Sequence, residues 1–335
     1  MMPTLCVIIP CRNEERYIAQ CLDSVLNTSY PKELLEILVI DGKSHDKTRQ
    51  IVQKYTFSHP FIRLLDNPDK IASTALNIGI LESKSSYIIR LDAHASYPKD
   101  YFQQLISHSI RLGAANVGGV WKTQILHDTT IANAIKNVLS DPYGVGNALF
   151  RTGISTITEV DTVPFGCYHR DIFEKYGLFD ERLIRNQDIE LNKRIVRGGG
   201  KIYLIPDIAC TYYARETYSD LAHNNYQNGY WNILTPYYTG RLNSLSLRHF
   251  IPLVFVMTLI LPVLLLPFYP DLLLISIIIV FIYLLIIGGR AWKIKNNTTW
   301  LHQVWAFITL HFSYGFGSIG GIIALTKKIL LRVPK

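Results

Sequence analysis

Asp92 and His94 stand one residue apart just past the apolar run Tyr87-Ile88-Ile89-Arg90-Leu91. On an extended chain, residues i and i+2 point to the same side. A carboxylate and an imidazole there can share one divalent cation while Ala93 turns away. Asp41 closes a second apolar run, Leu35 to Ile40, beside Gly42. Asp188 begins a pattern, Ile189, Leu191, Ile195 and Val196, that reads as a short helix ending at Gly198-Gly199-Gly200. A carboxylate near a helix amino end is favoured in its ionised form by the helix dipole, which is the form a base needs. A cation beside one carboxylate, with a second carboxylate free to take a proton, suits a metal-assisted displacement with general-base help. Each residue also has a structural reading: Asp41 and Asp188 as helix caps, His94 as an exposed loop histidine.

The elements that must position these groups follow from hydrophobic periodicity. Leu5 to Ile9 reads as a buried strand that breaks at Pro10 into the polar loop Cys11-Arg12-Asn13-Glu14, and Ile18, Leu22, Val25 and Leu26 mark one helix face. Strand Leu35–Ile40 is followed by a helix carrying Ile51, Val52 and Tyr55. Phe61–Leu65 reads as a third strand, Ile71–Leu81 as a third helix and Tyr87–Leu91 as a fourth strand. This alternation predicts an α/β fold with a parallel sheet and right-handed crossovers, with ligands outside the carboxyl ends of the strands. Asp41, Asp92 and His94 all fall at those ends.

Five signatures carry a resemblance: Val7-Ile8-Ile9-Pro10-Cys11-Arg12-Asn13-Glu14, Val39-Ile40-Asp41-Gly42-Lys43-Ser44-His45-Asp46, Asn67-Pro68 with Ala75-Leu76-Asn77-Ile78-Gly79, Leu91-Asp92-Ala93-His94-Ala95, and Asn186-Gln187-Asp188-Ile189-Glu190-Leu191. Over about Leu5 to Trp231 the chain resembles the family 2 glycosyltransferases, and among them the membrane-attached enzymes similar to succinoglycan-type exopolysaccharide transferases. The resemblance implies a GT-A catalytic domain, Rossmann-like with a mostly parallel sheet. It implies that Pro10, Arg12, Asn13, Glu14 and Asp41 hold the uracil and ribose of a UDP-sugar, with Asn77 also donor-binding. It places Asp92 near ribose and metal, His94 on the metal, and Asp188 as catalytic base. The expected reaction is inverting transfer of a hexose to a lipid-linked saccharide acceptor in exopolysaccharide or cell-envelope glycan synthesis. The alternatives are a different nucleotide sugar, such as a GDP-sugar, or an inactive membrane scaffold. The chain departs from the family pattern in three places: one aspartate before Gly42 where many relatives have two, His94 where aspartate is usual, and Gln187 where an acid often precedes the base. A neutral imidazole beside a carboxylate suits Mn²⁺ better than Mg²⁺. Leu221–Trp231 lacks the arginine of the Gln-x-x-Arg-Trp signature of processive synthases, and is expected to form an interfacial helix near acceptor and membrane. Phe165-Gly166-Cys167-Tyr168 and Phe179-Asp180-Glu181 read equally as acceptor-site lining or as packing.

From Phe250 onward the composition changes. Ile251–Phe268 and Leu272–Gly289 are apolar runs of membrane-spanning length separated by Tyr269, Pro270 and Asp271. The expected organisation is a catalytic domain over 1–235 and an interfacial linker with a membrane module over 236–335, its helices near 250–268, 271–289 and 304–325. Residues 250–335 hold seven Lys or Arg and one acid, against 27 basic and 25 acidic residues before them, so most of the net charge of +8 belongs to the membrane part. That pattern points to a membrane rather than to nucleic acid. A third crossing by Val304–Leu325 would leave Lys327, Lys328, Arg332 and Lys335 outside, against the positive-inside rule. Its glycine cluster and His311 suit a bent segment, so this stretch is expected to be re-entrant or interfacial. No secretory leader pattern precedes Leu5. With five cysteines in no zinc-type spacing, the amino-terminal domain is expected in the cytoplasm, on the inner face of a bacterial plasma membrane. Nothing in the sequence sets the oligomeric state.

Overall fold

The computed structural model describes residues 2–331; Arg332 and Lys335 of the basic tail lie outside them. The chain begins β1 (Leu5–Cys11), α1 (Ile18–Leu26), β2 (Leu35–Asp41), α2 (Thr48–Ser58), β3 (Ile62–Asp66), α3 (Ala72–Glu82), β4 (Tyr87–Arg90). β1 pairs in parallel with both β2 and β4, and β2 with β3, giving the order β3-β2-β1-β4. Leu5 to Ile9 are 0% exposed because helices cover both faces of this central strand, which is why the run is continuously apolar rather than alternating. Each such side chain contributes on the order of 1.5–3 kcal/mol of burial. α1 buries Ile18, Cys21, Leu22 and Val25, and Gly79 lets α3 approach so closely that a Cβ there would lie 2.8 Å from Ile8.

The second half of the sheet is built from antiparallel pairs. After β5 (Ala95–Ser96), α4 (Tyr101–Leu112) and β6 (Asn116–Gln124) come α5 (Thr130–Leu139), α6 (Pro142–Val145), α7 (Leu149–Thr152), β7 (Thr158–Glu159), β8 (Cys167–His169), α8 (Asp171–Tyr176), α9 (Gln187–Arg197) and β9 (Ile202–Tyr213). Among the described residues the sheet has nine strands, continuing from β4 through β8, β6, β9 and β5, with β7 on β9. β8 is antiparallel to β4 and β6, and β9 to β5 and β7. The expected parallel order thus holds for four strands, and the remainder makes the sheet mixed. All five cysteines are buried and free.

The rest is helical: α10 (Tyr218–Thr239), α11 (Ile251–Leu264), α12 (Leu272–Ile294) and α13 (Trp300–Leu330). The chain divides into two compact units, one of residues up to Lys122 with Gly153–Tyr213, the other of Thr123–Thr152 with the chain from Ala214 on. In the second unit Ile135 and Val138 of α5 share a core with Leu221, Ile287, Phe307 and Leu310. Among the described residues, three helical stretches, Leu247–Leu264, Leu272–Ile294 and Trp300–Leu330, are long and apolar enough to cross a membrane. The glycines of the last segment do not interrupt it: α13 is one continuous helix of 31 residues. Its glycines serve close approach instead. A Cβ on Gly317 would lie 2.0 Å from the Tyr226 carbonyl oxygen, and one on Gly321 2.6 Å from that of Tyr230.

Candidate active site

The parallel register brings the carboxyl ends of β1, β2 and β4 to one edge, with Cys11 beside Asp41 and Ile8 beside Arg90. The loops leaving β1 and β2 are tied together there. Asn13, in the left-handed region at φ 56°, donates its backbone N–H to Ser44 Oγ at 2.9 Å and accepts from the His45 N–H at 2.9 Å. The Glu14 N–H reaches Thr48 Oγ1 at 2.8 Å, and Glu15 exchanges bonds with Asp46 and the Lys47 N–H. Gly42 leaves room for Arg12, whose Cβ and Cδ would lie 3.4 Å from an added Cβ. Arg12, Asn13 and Glu14 therefore form one braced rim, with Arg12 and Asn13 exposed, and Pro10 continues β1 to Cys11 rather than ending it.

Asp41 is held by its own loop. It is 0% exposed; it accepts from the Ser44 N–H at 3.2 Å and from Arg49 Nη1 at 2.9 Å, and Arg49 also reaches Asp66 at 2.5 Å. A carboxylate so committed organises the β2–α2 loop rather than offering open oxygens. Asn77 likewise points into structure: its amide donates to the Phe179 carbonyl at 2.9 Å and to Glu181 at 2.8 Å, and accepts from the Phe179 N–H at 3.0 Å. With Ser73 Oγ on the Leu183 carbonyl at 3.0 Å, α3 grips the segment that leads into α9. Phe179 is thus packing, 4% exposed.

α9 carries the candidate base, and here an unforeseen residue joins the site. Arg90 Nη1 lies 3.0 Å from Asp188 Oδ2, and Arg90 Nη2 lies 3.0 Å from Asp92 Oδ1. One guanidinium, 13% exposed, thereby joins the candidate base to the candidate metal ligand. Asp188 also accepts from the Ile189 N–H at 2.9 Å in the first turn of α9. The Asp92 backbone is fixed by Tyr97, whose hydroxyl accepts from its N–H at 3.0 Å and donates to its carbonyl at 3.1 Å. A charge within an otherwise apolar strand requires partners when buried, and that was the available signal for Arg90. Beside Asp188, Gln187 is 6% exposed and its Oε1 has no hydrogen-bond partner among the described residues.

His94 sits between aromatic edges, 6.2 Å from the Tyr17 ring and 5.3 Å from that of Tyr212. Tyr212 stacks on Trp121 at 4.3 Å with rings 4° from parallel. His94 Nδ1 lies 3.4 Å from Glu14 Oε1, within ion-pair distance. Burial disfavours the protonated ring, but Glu14, Tyr212 and Asp92 outweigh it and raise the pKa to about 9. Among the described residues no three His, Cys, Asp or Glu side chains gather as a metal cluster. The donor set fits half a site: a buried ring nitrogen on His94, facing Glu14, and a carboxylate on Asp92 of which Arg90 takes one oxygen. A ligand to a cation must be deprotonated, so His94 would have to give up its proton before it could hold one.

The family model described as "Glycosyl transferase family 2" matches residues 6–177. Over 224 residues the chain is 32% identical to the dolichyl N-acetyl-alpha-D-glucosaminyl phosphate 3-beta-D-2,3-diacetamido-2,3-dideoxy-beta-D-glucuronosyltransferase of Methanococcus voltae, covering 64% of this chain and 68% of that one. It is 29% identical over 211 residues to the succinoglycan biosynthesis protein ExoA of Rhizobium meliloti, covering 62% of this chain and 63% of the relative, under two thirds of its length. Among solved structures, the mannosyltransferase PcManGT of Pyrobaculum calidifontis in complex with GDP-Man and Mn²⁺ superposes with a TM-score of 0.58 at 16% identity, covering 96% of this chain and 88% of that one. TarS 1-349 of S. aureus does so at 0.53 and 15%, covering 96% and 92%. These structural likenesses establish the GT-A fold.

Proposed function

The chain belongs to glycosyl transferase family 2, and on that premise we propose that it moves a hexose, with inversion, from a UDP-sugar to a lipid-linked saccharide at the cytoplasmic face of a plasma membrane. The observation that carries the reading is the Arg90 bridge between Asp92 and Asp188, at 3.0 Å to each. In-line displacement needs a base on the acceptor side and charge neutralisation on the leaving side, held at a fixed separation. Asp188 is the proposed base. Its two oxygens offer about four lone-pair positions, and the Ile189 N–H and Arg90 occupy two, leaving capacity for the acceptor hydroxyl. The rim Pro10, Arg12, Asn13 and Glu14 receives the nucleotide, with Asp41 and Asn77 acting through the segments they brace. Asp92 and His94 would hold Mn²⁺, or Mg²⁺ less well. When bound, such a cation neutralises charge on the departing diphosphate.

The catalytic domain is read as residues 1–235 and the membrane module as 236–335. A lipid-linked acceptor is supported by the apolar helices of the second unit and by the dolichyl phosphate in the name of the archaeal relative. The full-length protein, titrated with UDP- and GDP-sugars with and without Mn²⁺, tests the reading through thermal stabilisation and transfer to a lipid-phosphate sugar. Metal-dependent stabilisation by a UDP-sugar with transfer is expected. Response to GDP-sugars alone would replace the donor, and response to none would leave a scaffold.

A further inference from the structure

Within the second unit α11 and α12 form a hairpin. Ser276 Oγ lies 3.3 Å from the Leu259 carbonyl, and Phe255 packs on Tyr283 at 4.8 Å. The closed end carries Asp271; the open end is flanked by Arg248, Arg290, Lys293 and Lys295. α13 meets this hairpin near its open end. Trp300 Nε1 donates to the Gly288 carbonyl at 2.9 Å, Phe307 and Leu310 join Ile287 and Ala291, and His311 pairs with the Tyr283 hydroxyl at 2.9 Å. Phe312 then lies 5.5 Å from Phe255, and Gly315 abuts Val256 and the Pro252 carbonyl.

From Trp300 to Gly315 α13 advances roughly 22 Å at 1.5 Å per residue. Its partners, however, go from 288 to 283 on one arm and return to 252 on the other. A helix crossing the bilayer alongside the hairpin would meet partners progressively nearer the closed end. α13 instead passes across the hairpin's mouth and continues along α10, with Ser318 Oγ 3.2 Å from the Gly229 carbonyl and Lys328 Nζ 2.6 Å from the Tyr238 hydroxyl. Mid-helix, His311 Nε2 lies 2.8 Å from the carbonyl of Tyr143 in the short α6. Non-helical backbone such as that flanking α6 has no place in the lipid core unless protein or water surrounds it.

The face of α13 turned from α10 is an apolar stripe: Leu301, Trp305 and Ile323 are 71%, 55% and 51% exposed, Phe316 is 45% exposed, and Phe312 and Ile319 fall between at helical spacing. Residues 221–335 hold nine Lys or Arg and the single acid Asp271. An in-plane α13 puts Lys327 and Lys328 on the same side as the basic open end, as the positive-inside rule requires.

We propose that α13 does not cross the membrane but lies in its plane, at the leaflet where the hairpin enters. Its stripe rests at the boundary of headgroups and acyl chains, and its basic end lies among anionic lipid headgroups. The partner is an anionic lipid surface, and only α11 and α12 span.

The inference rests on the membrane reading of the hairpin, which flotation of the full chain with phosphatidylethanolamine/phosphatidylglycerol vesicles tests separately; loss of flotation overturns both. Because the native cysteines are buried, they are kept while single cysteines at Leu301, Trp305, Phe316 and Ile323 carry nitroxide labels. Collision with oxygen and a nickel chelate should place all four in one shallow band, about 5–10 Å deep. A spanning helix would separate Leu301 from Ile323 by about 33 Å, with Phe316 deepest in between, and that result overturns the proposal. Cysteines at Lys295 and Lys328 in sealed vesicles should react from the same side; labelling from opposite sides overturns it equally.

Discussion

Replacing Arg90 by Gln removes the guanidinium that neutralises Asp92 and Asp188 together. Each pair is at 3.0 Å, with the arginine side chain 13% exposed and the carboxylates 22% and 29% exposed. Removing one partner of a fully buried pair costs about 3–5 kcal/mol. These carboxylates keep part of their hydration, which reduces the figure to about 2–3 kcal/mol. For a unit of this size that is a fall of roughly 4–12 °C in thermal midpoint. Arg90→Lys should fall between, because an ammonium faces one carboxylate well but lacks the planar fork that reaches two. Mn²⁺ with UDP should raise the midpoint of Arg90→Gln more than that of the native chain, since a cation relieves the unpaired Asp92. Turnover should drop at least about tenfold as Asp188 loses its brace. Thermal unfolding of the full-length protein, with and without metal and nucleotide, reads all but the last quantity directly. An Arg90→Gln protein with an unchanged midpoint and an unchanged metal response would refute the bridge.

Two further perturbations separate chemistry from packing. Asp92→Ala and His94→Ala should each weaken metal-dependent UDP binding, with Mn²⁺ supporting the native protein better than Mg²⁺; metal titrations followed by calorimetry check this, and full activity in a chelator would remove the metal from the account. Gly317→Val should lower the thermal midpoint of the full chain by the equivalent of about 1–3 kcal/mol or more, because its Cβ would lie 2.0 Å from the Tyr226 backbone oxygen. Gly289→Ala, where an added Cβ meets nothing within 4 Å, should stay within about 0.5 kcal/mol.

Periodicity made the first four strands and their helices legible, because long apolar runs separated by polar loops leave little choice of pairing. The antiparallel half escaped: β5 and β7 have two residues each and β8 three, too few for a period to emerge, and their pairing is set by distant strands. The placement of Asp92 and His94 after a strand, and of Asp188 in the first turn of a helix, was legible from hydrophobic periodicity; their roles rest on the family resemblance and are proposed. Arg90 was hidden because it sits inside an apolar strand and acts through residues two and 98 positions away. The donor roles read onto Asp41 and Asn77 did not anticipate their neighbours, Arg49 and Phe179, which a linear motif cannot display. Composition does not distinguish a flexible glycine from one that permits close approach, and Gly317 and Gly321 meet the backbone of α10.

The central claim, that Asp188 takes the acceptor proton, is tested most directly by Asp188→Asn, which removes basicity with little change of volume. Affinity for UDP in the presence of Mn²⁺ and the rate of sugar transfer are measured on the same preparation. UDP binding should be nearly unchanged while transfer falls by roughly 10²–10⁴-fold, the loss typical of a missing general base. Transfer near the native rate with UDP binding intact would contradict the assignment.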